Sequence, residues 1–195
     1  MTKNLYMLPP DLPVPQDDGA CDHLAGQRLP AIALPGTGAR DITLSAEPGW
    51  VVVYFYPMTG QPDQPPMLGW DKIPGARGCT PECCAFRDRY LDLRRLGAKV
   101  FGVSSQPLEE QREAAQRLRL PFDLLNDSNL ALAGALRLPT FEHDFARLIM
   151  RITLVVKDGV IRKVYYPVFP PHLNPTDVIA WLEQQHSGEA IGLSV

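Results

Sequence analysis

The sequence predicts an α/β protein, with a central mixed sheet covered by helices on both faces. Three observations predict it. Residues 51–56, Val-Val-Val-Tyr-Phe-Tyr, form an unbroken apolar, β-branched and aromatic run, as a strand covered on both faces requires. From there to residue 136, strand-like runs alternate with helical patterns. Finally, Lys157-Asp158-Gly159 joins two strand-like runs as a hairpin, so antiparallel pairing enters the sheet before a last helix.

The elements follow in order. Residues 1–22 are proline-rich and polar, and predict a flexible arm, poorly ordered or wrapped over the surface. One domain is expected over 23–188, with 189–195 as a tail. Short strands at 32–34 and 41–44 flank the turn Gly36-Thr37-Gly38. Pro57 ends the strand at 51–56. Helical spacing runs from 81 to 96, and Gly97 stops it. A strand at 100–103, a charged helix at 107–118, a strand at 121–125 and a helix at 129–136 come next. Strands at 151–156 and 160–166 form the hairpin. The last helix, 175–185, has Asn174 as its N-cap and Pro175 at its first position.

Composition narrows the function. The 195 residues are 45% hydrophobic and 21% charged, as in an ordinary globular enzyme, and the net charge of -3 disfavours nucleic acid or an anionic membrane as partner. No apolar run approaches the roughly 20 residues of a membrane span. Residues 1–18 show no basic-then-apolar leader, and secretion is not expected. Four cysteines, three bunched at 79, 83 and 84, do not resemble a secreted disulfide framework. The expected setting is reducing and cytoplasmic.

The chemistry concentrates in Gly78-Cys79-Thr80-Pro81-Glu82-Cys83-Cys84. Thr80 suits an N-cap, Pro81 a first helical position, and Glu82 the positive end of the helix dipole. Cys79 would then sit where free backbone N–H groups favour an anion, so a thiolate near neutral pH is expected there. Zinc is the competing use of clustered cysteines, with Cys21 and His23 as further ligands. Adjacent Cys83 and Cys84 suit a tetrahedron poorly, however, and no Cys-x2-Cys pair exists. No metal or other cofactor is expected.

With that cysteine, the element order resembles the thioredoxin fold. More closely, the chain resembles peroxiredoxins of the bacterioferritin-comigratory, or Q, branch. The resemblance rests on Val53-Tyr54-Phe55-Tyr56-Pro57, on Gly78-Cys79-Thr80 with Cys84 and Arg87-Asp88, and on Arg151-Ile152-Thr153-Leu154-Val155-Val156 followed by Asp158-Gly159. It implies a thiol peroxidase acting on hydrogen peroxide and organic hydroperoxides, recycled by a thioredoxin-like reductant, as a monomer or weak dimer. It gives Cys79 the attack on peroxide and Arg151 the support of thiolate and peroxide oxygens. Glu82 would orient Arg151.

Two thiols compete to resolve the product. On a continuous helix Cys83 would lie about 6 Å from Cys79 between Cα atoms, and Cys84 about 8–9 Å. A disulfide needs less than about 7 Å, which favours Cys83. Yet Cys83, Phe86, Tyr90 and Leu93 form one apolar stripe facing the core. The family resemblance assigns the resolving role to Cys84, which requires the first helical turns to unwind. One departure stands out. The family has Pro-x3-Thr-x2-Cys before the reactive cysteine, whereas here Ala76 and Lys72 occupy the Thr and Pro positions. Pro57 and Thr59 look like the front half of that motif, with an insertion at 61–74 before Cys79. Either Thr59 supplies the hydroxyl, or backbone at 75–78 replaces it. The other readings are a thioredoxin-fold thiol–disulfide oxidoreductase and a non-catalytic redox sensor.

Overall fold

A computed structural model describes residues 5–62, 64–65 and 67–192. The central sheet has five strands in the order β5-β4-β3-β8-β9, formed by Leu124–Asn126, Ala98–Ser104, Trp50–Phe55, Ile152–Lys157 and Val160–Tyr165. β3, β4 and β5 run parallel, while β8 and β9 are antiparallel to their neighbours. Two small hairpins complete the strands: β1 (Ala33–Pro35) with β2 (Asp41–Thr43), and β6 (Thr140–His143) with β7 (Ala146–Ile149).

β3 is buried along its whole length because alternate residues enter two different cores. Val51, Val53 and Phe55 join Phe101, Val103, Ile152 and Leu154 on one face. That face is covered by α4 (Ala131–Ala135), the β1–β2 hairpin and Cys21, Leu24 and Leu29. Val52, Tyr54 and Tyr56 pack on the other face against α1 (Cys79–Asp88), α2 (Tyr90–Arg95), α3 (Leu108–Leu118) and α5 (Asn174–Gly192). The helices are therefore shared unequally, one short helix on the first face and four on the second. The β8–β9 turn has positive φ at Asp158 (49°) and Gly159 (76°), as a two-residue hairpin turn needs.

Several elements refine or differ from the sequence reading. Residues 5–22 take the surface-wrapping form of the two expected for the arm, with Leu8 and Pro15 resting on Gly78 and Gly75. Pro15 is buried, and Cys21, a free thiol, is 4% exposed inside the first core. The core thus starts before residue 23, because an extended proline-rich chain can lay apolar side chains into surface grooves without a hydrogen-bonded ladder. The helix expected at 81–96 is two helices, broken at Arg89 (φ -98°, ψ 7°), although Phe86, Tyr90 and Leu93 still face one core. α5 continues to Gly192, past its expected end at 185 and into the expected tail 189–195, of which 193–195 lie outside the described residues. The β6–β7 hairpin was not expected. Its turn places Asp144 and Phe145 at positive φ without the glycine that would advertise it.

Candidate active site

Pairing in the sheet assembles the site. Phe55, at the end of β3, is level with Ile152 of β8 and Val103 of β4. The segment leaving β3 (57–59), the segment leaving β4 (104–106) and Arg151, just before β8, therefore meet at one sheet edge. The carboxyl ends of parallel strands are the usual place for a site in such sheets. α1 starts at the same edge.

Cys79 is the first residue of α1, and Gly78 holds the N-cap position, so Thr80 is not the cap that the sequence suggested. Gly78 is required there: its φ is 113°, and a Cβ would lie 2.5 Å from Pro171 Cγ and 2.9 Å from Leu8 Cδ2. The Arg151 Nη2 group donates to Cys79 Sγ at 3.1 Å, and the Met58 backbone N–H donates to the same sulfur. Arg151 is itself fixed by donation to the carbonyls of Gly75 (3.3 Å), Ala76 (3.3 Å) and Arg77 (3.4 Å), and through Nη1 to Glu82 Oε2. Both Arg151 and Glu82 are buried.

Burial opposes the neutral-pH thiolate that the helix dipole favours. Burial pushes the Cys79 thiol above its ordinary value; Arg151 pulls it down, Glu82 pushes it up, and the Met58 N–H pulls it down. Burial likewise raises Glu82, to about 7, against the pull of Arg151. One guanidinium thus faces two buried acids, Cys79 and Glu82. Protonation of Glu82 removes its push and leaves Arg151 to stabilise the Cys79 thiolate.

The two cysteines that follow have separate surroundings. Cys83 is fully buried and accepts a hydrogen bond from the Tyr54 hydroxyl at 3.4 Å, beneath the stacked rings of Tyr54 and Phe86. Burial pushes its thiol well up. Cys84 is half-buried on another side of the helix, and burial raises its thiol while Arg87 and Arg117 draw it down. Cys79 and Cys84 stand five residues apart in one continuous helix, which puts their Cα atoms about 8–9 Å apart in ideal geometry. They bond only if the first turns open.

The loop before Cys79 is now explicable. Thr59 lines the same cavity as Cys79, but both its N–H (2.7 Å) and its hydroxyl (3.2 Å) donate to Gln106 Oε1. The hydroxyl proton is committed, and its lone pairs are what it has left to offer a ligand. The carbonyls of 75–77 hold Arg151 rather than taking over the Thr position. Pro57 is buried and accepts a hydrogen bond from Ser104 Oγ (2.9 Å); it lies against Arg151, outside the cavity that Cys79 lines. Within the insertion 61–74, of which 63 and 66 lie outside the described residues, Trp70 and Met67 pack with Ala76 and Leu148. Arg77 lines the cavity and lies 3.8 Å from Asp71 of the insertion. Sequence reasoning missed Met58, which acts through its backbone, and Gln106. For Gln106 a signal existed: it follows directly on the carboxyl end of a parallel strand. Among the described residues, no three of His, Cys, Asp and Glu come together as a metal site.

Comparison with known proteins agrees with this geometry. The AhpC/TSA family model matches residues 73–164. The chloroplastic peroxiredoxin Q of Sedum lineare is 34% identical over 155 residues, covering 77% of this chain and 74% of that protein. The chain belongs to the peroxiredoxin Q family. The Suaeda salsa peroxiredoxin Q is 31% identical over 160 residues, covering 81% of this chain and 67% of that one. Among solved structures, peroxidoxin BcpB from Mycobacterium tuberculosis superposes with a TM-score of 0.67 at 24% identity, over 82% of this chain and 96% of that chain. The bacterioferritin comigratory protein of Xanthomonas campestris gives 0.64 at 22% identity, over 90% and 99%. The fold is accordingly the thioredoxin-like fold of the peroxiredoxins. A peroxiredoxin is a thiol-dependent peroxidase, and this site holds the parts for that reaction.

Proposed function

We propose that this chain reduces hydrogen peroxide and organic hydroperoxides through Cys79, with Cys84 as the resolving thiol and a thioredoxin-like protein as reductant. The observation that carries the reading is the Cys79 sulfur at a helix N-terminus, 3.1 Å from the buried Arg151 guanidinium and open to a cavity of about 180 Å³. The Cys79 thiolate attacks one peroxide oxygen, the O–O bond breaks, and the departing oxygen takes a proton and leaves as water or alcohol. Arg151 donates to the oxygens as charge moves onto the leaving one, and Glu82 keeps the guanidinium aimed. Thr59 offers a lone pair to the hydroperoxide O–H, and Pro57 backs Arg151. The Cys84 thiol then attacks the Cys79 sulfenic acid, releasing water and forming the disulfide. A dithiol reductant is oxidised as that disulfide returns to two thiols.

Free clustered thiols suit a reducing compartment, and the cytoplasm remains our proposal for the location. We likewise propose a monomer or weak dimer, built as one domain with the active-site loop insertion at 61–74. Peroxide consumption coupled to thioredoxin and its reductase tests the activity. The wild type is expected to turn over and Cys79→Ser to be inert; equal turnover by Cys79→Ser would reject the assignment. The residue before β8 is Met150 and no Cys-x-x-Cys is present, so nothing in the site favours a general thiol–disulfide exchanger.

A further inference from the structure

The sheet ladder stops short of the active site, and side chains carry the pairing on. The Tyr56 N–H donates to the Val103 carbonyl at 3.1 Å, and the next residue, Pro57, has no N–H to donate. Beyond that point two side chains of the segment leaving β4 hold the segment leaving β3. Ser104 Oγ donates to the Pro57 carbonyl at 2.9 Å. Gln106 meets Thr59 three times: its Oε1 accepts from the Thr59 N–H (2.7 Å) and hydroxyl (3.2 Å), and its Nε2 donates to the Thr59 carbonyl (3.3 Å).

Gln106 is itself fixed. It is 2% exposed, its N–H donates to Ser104 Oγ (3.1 Å), its carbonyl accepts from Asn126 Nδ2, and its Nε2 also donates to Glu110 Oε2 (2.9 Å). Every donor and acceptor of the residue is thereby engaged, which leaves its buried amide one orientation. Met58 lies between the two gripped residues, and its N–H donates to Cys79 Sγ. Thr59 lines the cavity at Cys79. The whole insertion at 61–74 separates both groups from Cys79 in sequence, so chain connectivity does not fix them against the sulfur. The grip from β4 does.

We propose that Gln106 and Ser104 are positioning residues, a clamp from β4 that aims the Met58 N–H at Cys79 Sγ and turns the Thr59 hydroxyl lone pairs toward the peroxide. The inference rests on the peroxidase reading above. Neither residue lines the Cys79 cavity, and each acts through residues 57–59. Releasing the clamp lets both groups drift, and a misplacement of about 1 Å is worth up to about a hundredfold in rate.

The test uses full-length Gln106→Leu, Ser104→Ala, Thr59→Val and the double variant of Gln106 and Thr59. Stopped-flow oxidation by hydrogen peroxide and iodoacetamide alkylation of Cys79 across pH are the readings, with circular dichroism reporting the fold. Arg151 and Glu82, the charged groups that act on Cys79, are unaltered in every variant. Gln106→Leu is expected to slow oxidation roughly tenfold and to move alkylation to higher pH, because the thiolate loses a donor. Thr59→Val, whose N–H still reaches Gln106, slows oxidation about threefold and leaves the alkylation profile in place. The double variant is no slower than Gln106→Leu alone, since the hydroxyl is already released there. Ser104→Ala moves both readings in the same direction as Gln106→Leu, by less. An unmoved alkylation profile in folded Gln106→Leu, or losses that multiply in the double variant, would overturn the clamp; if Gln106→Leu does not fold, an unmoved profile in Ser104→Ala overturns it. The peroxidase reading fails separately, by Cys79→Ser retaining activity toward hydrogen peroxide.

Discussion

Replacing Arg151 by Met removes the guanidinium that donates to Cys79 Sγ while filling most of its volume. A unit charge pair at 3.1 Å with an effective dielectric constant of about 20 is worth about 5 kcal/mol. Part of that returns. Without Arg151, Glu82 has lost the partner that held it down against burial, takes a proton, and ceases to repel the thiolate. A net loss of roughly 3 kcal/mol remains, equivalent to about a hundredfold in rate, before counting the lost donors to peroxide. The Cys79 thiol is expected to rise further above its ordinary value. The bimolecular rate constant for peroxide should fall by roughly 10²–10³-fold. Residue-resolved alkylation by iodoacetamide across pH reads the first effect and stopped-flow oxidation the second, with circular dichroism confirming the fold. Arg151→Lys, which keeps the charge with fewer donors, should recover part of both. An unchanged alkylation profile and a rate within threefold of wild type in folded Arg151→Met would refute the reasoning.

Other consequences follow from the same geometry. The Glu82 carboxylate, held up to about 7, is an anion above that pH and pushes the Cys79 thiol up; Glu82→Gln removes the push, so the pH profile of oxidation should move to lower pH, and a move to higher pH would contradict this electrostatic account. Cys83→Ala should leave disulfide formation intact while costing about 1–2 kcal/mol in urea unfolding, because the buried Tyr54 hydroxyl loses its acceptor; loss of the disulfide instead would make Cys83 the resolver. Gly78→Ala combines a left-handed backbone penalty with contacts at 2.5 and 2.9 Å, for about 2–4 kcal/mol and a melting point lower by about 5–10 °C. A melting point unchanged within 1–2 °C would mean that the loop relaxes freely.

The central sheet was legible because each strand wrote its environment into its residues. The run at 51–56 could only be a doubly covered strand, and Asp158-Gly159 could only be a tight turn. Cys79 and Arg151 lie 72 residues apart, yet the family resemblance paired them, and the structure brings them to 3.1 Å. What stayed hidden depends on groups without a residue signature. The Met58 donor is a backbone N–H, available to any residue but proline. The positive φ of Asp144 and Phe145 is adopted without glycine. The arm's contacts stayed illegible because proline and polar residues carry no periodicity, although Leu5, Leu8 and Pro15 each meet a glycine. The thiolate expectation counted the helix dipole, while the opposing cost of burying Cys79 shows only in the folded structure.

Disulfide mapping after one equivalent of hydrogen peroxide, on reduced wild-type protein, tests the account most directly. The account predicts one intramolecular bond between Cys79 and Cys84, with Cys21 and Cys83 still reduced, and a persistent Cys79 sulfenic acid in Cys84→Ser. A bond from Cys79 to Cys83, or oxidation that spares Cys79, would contradict it.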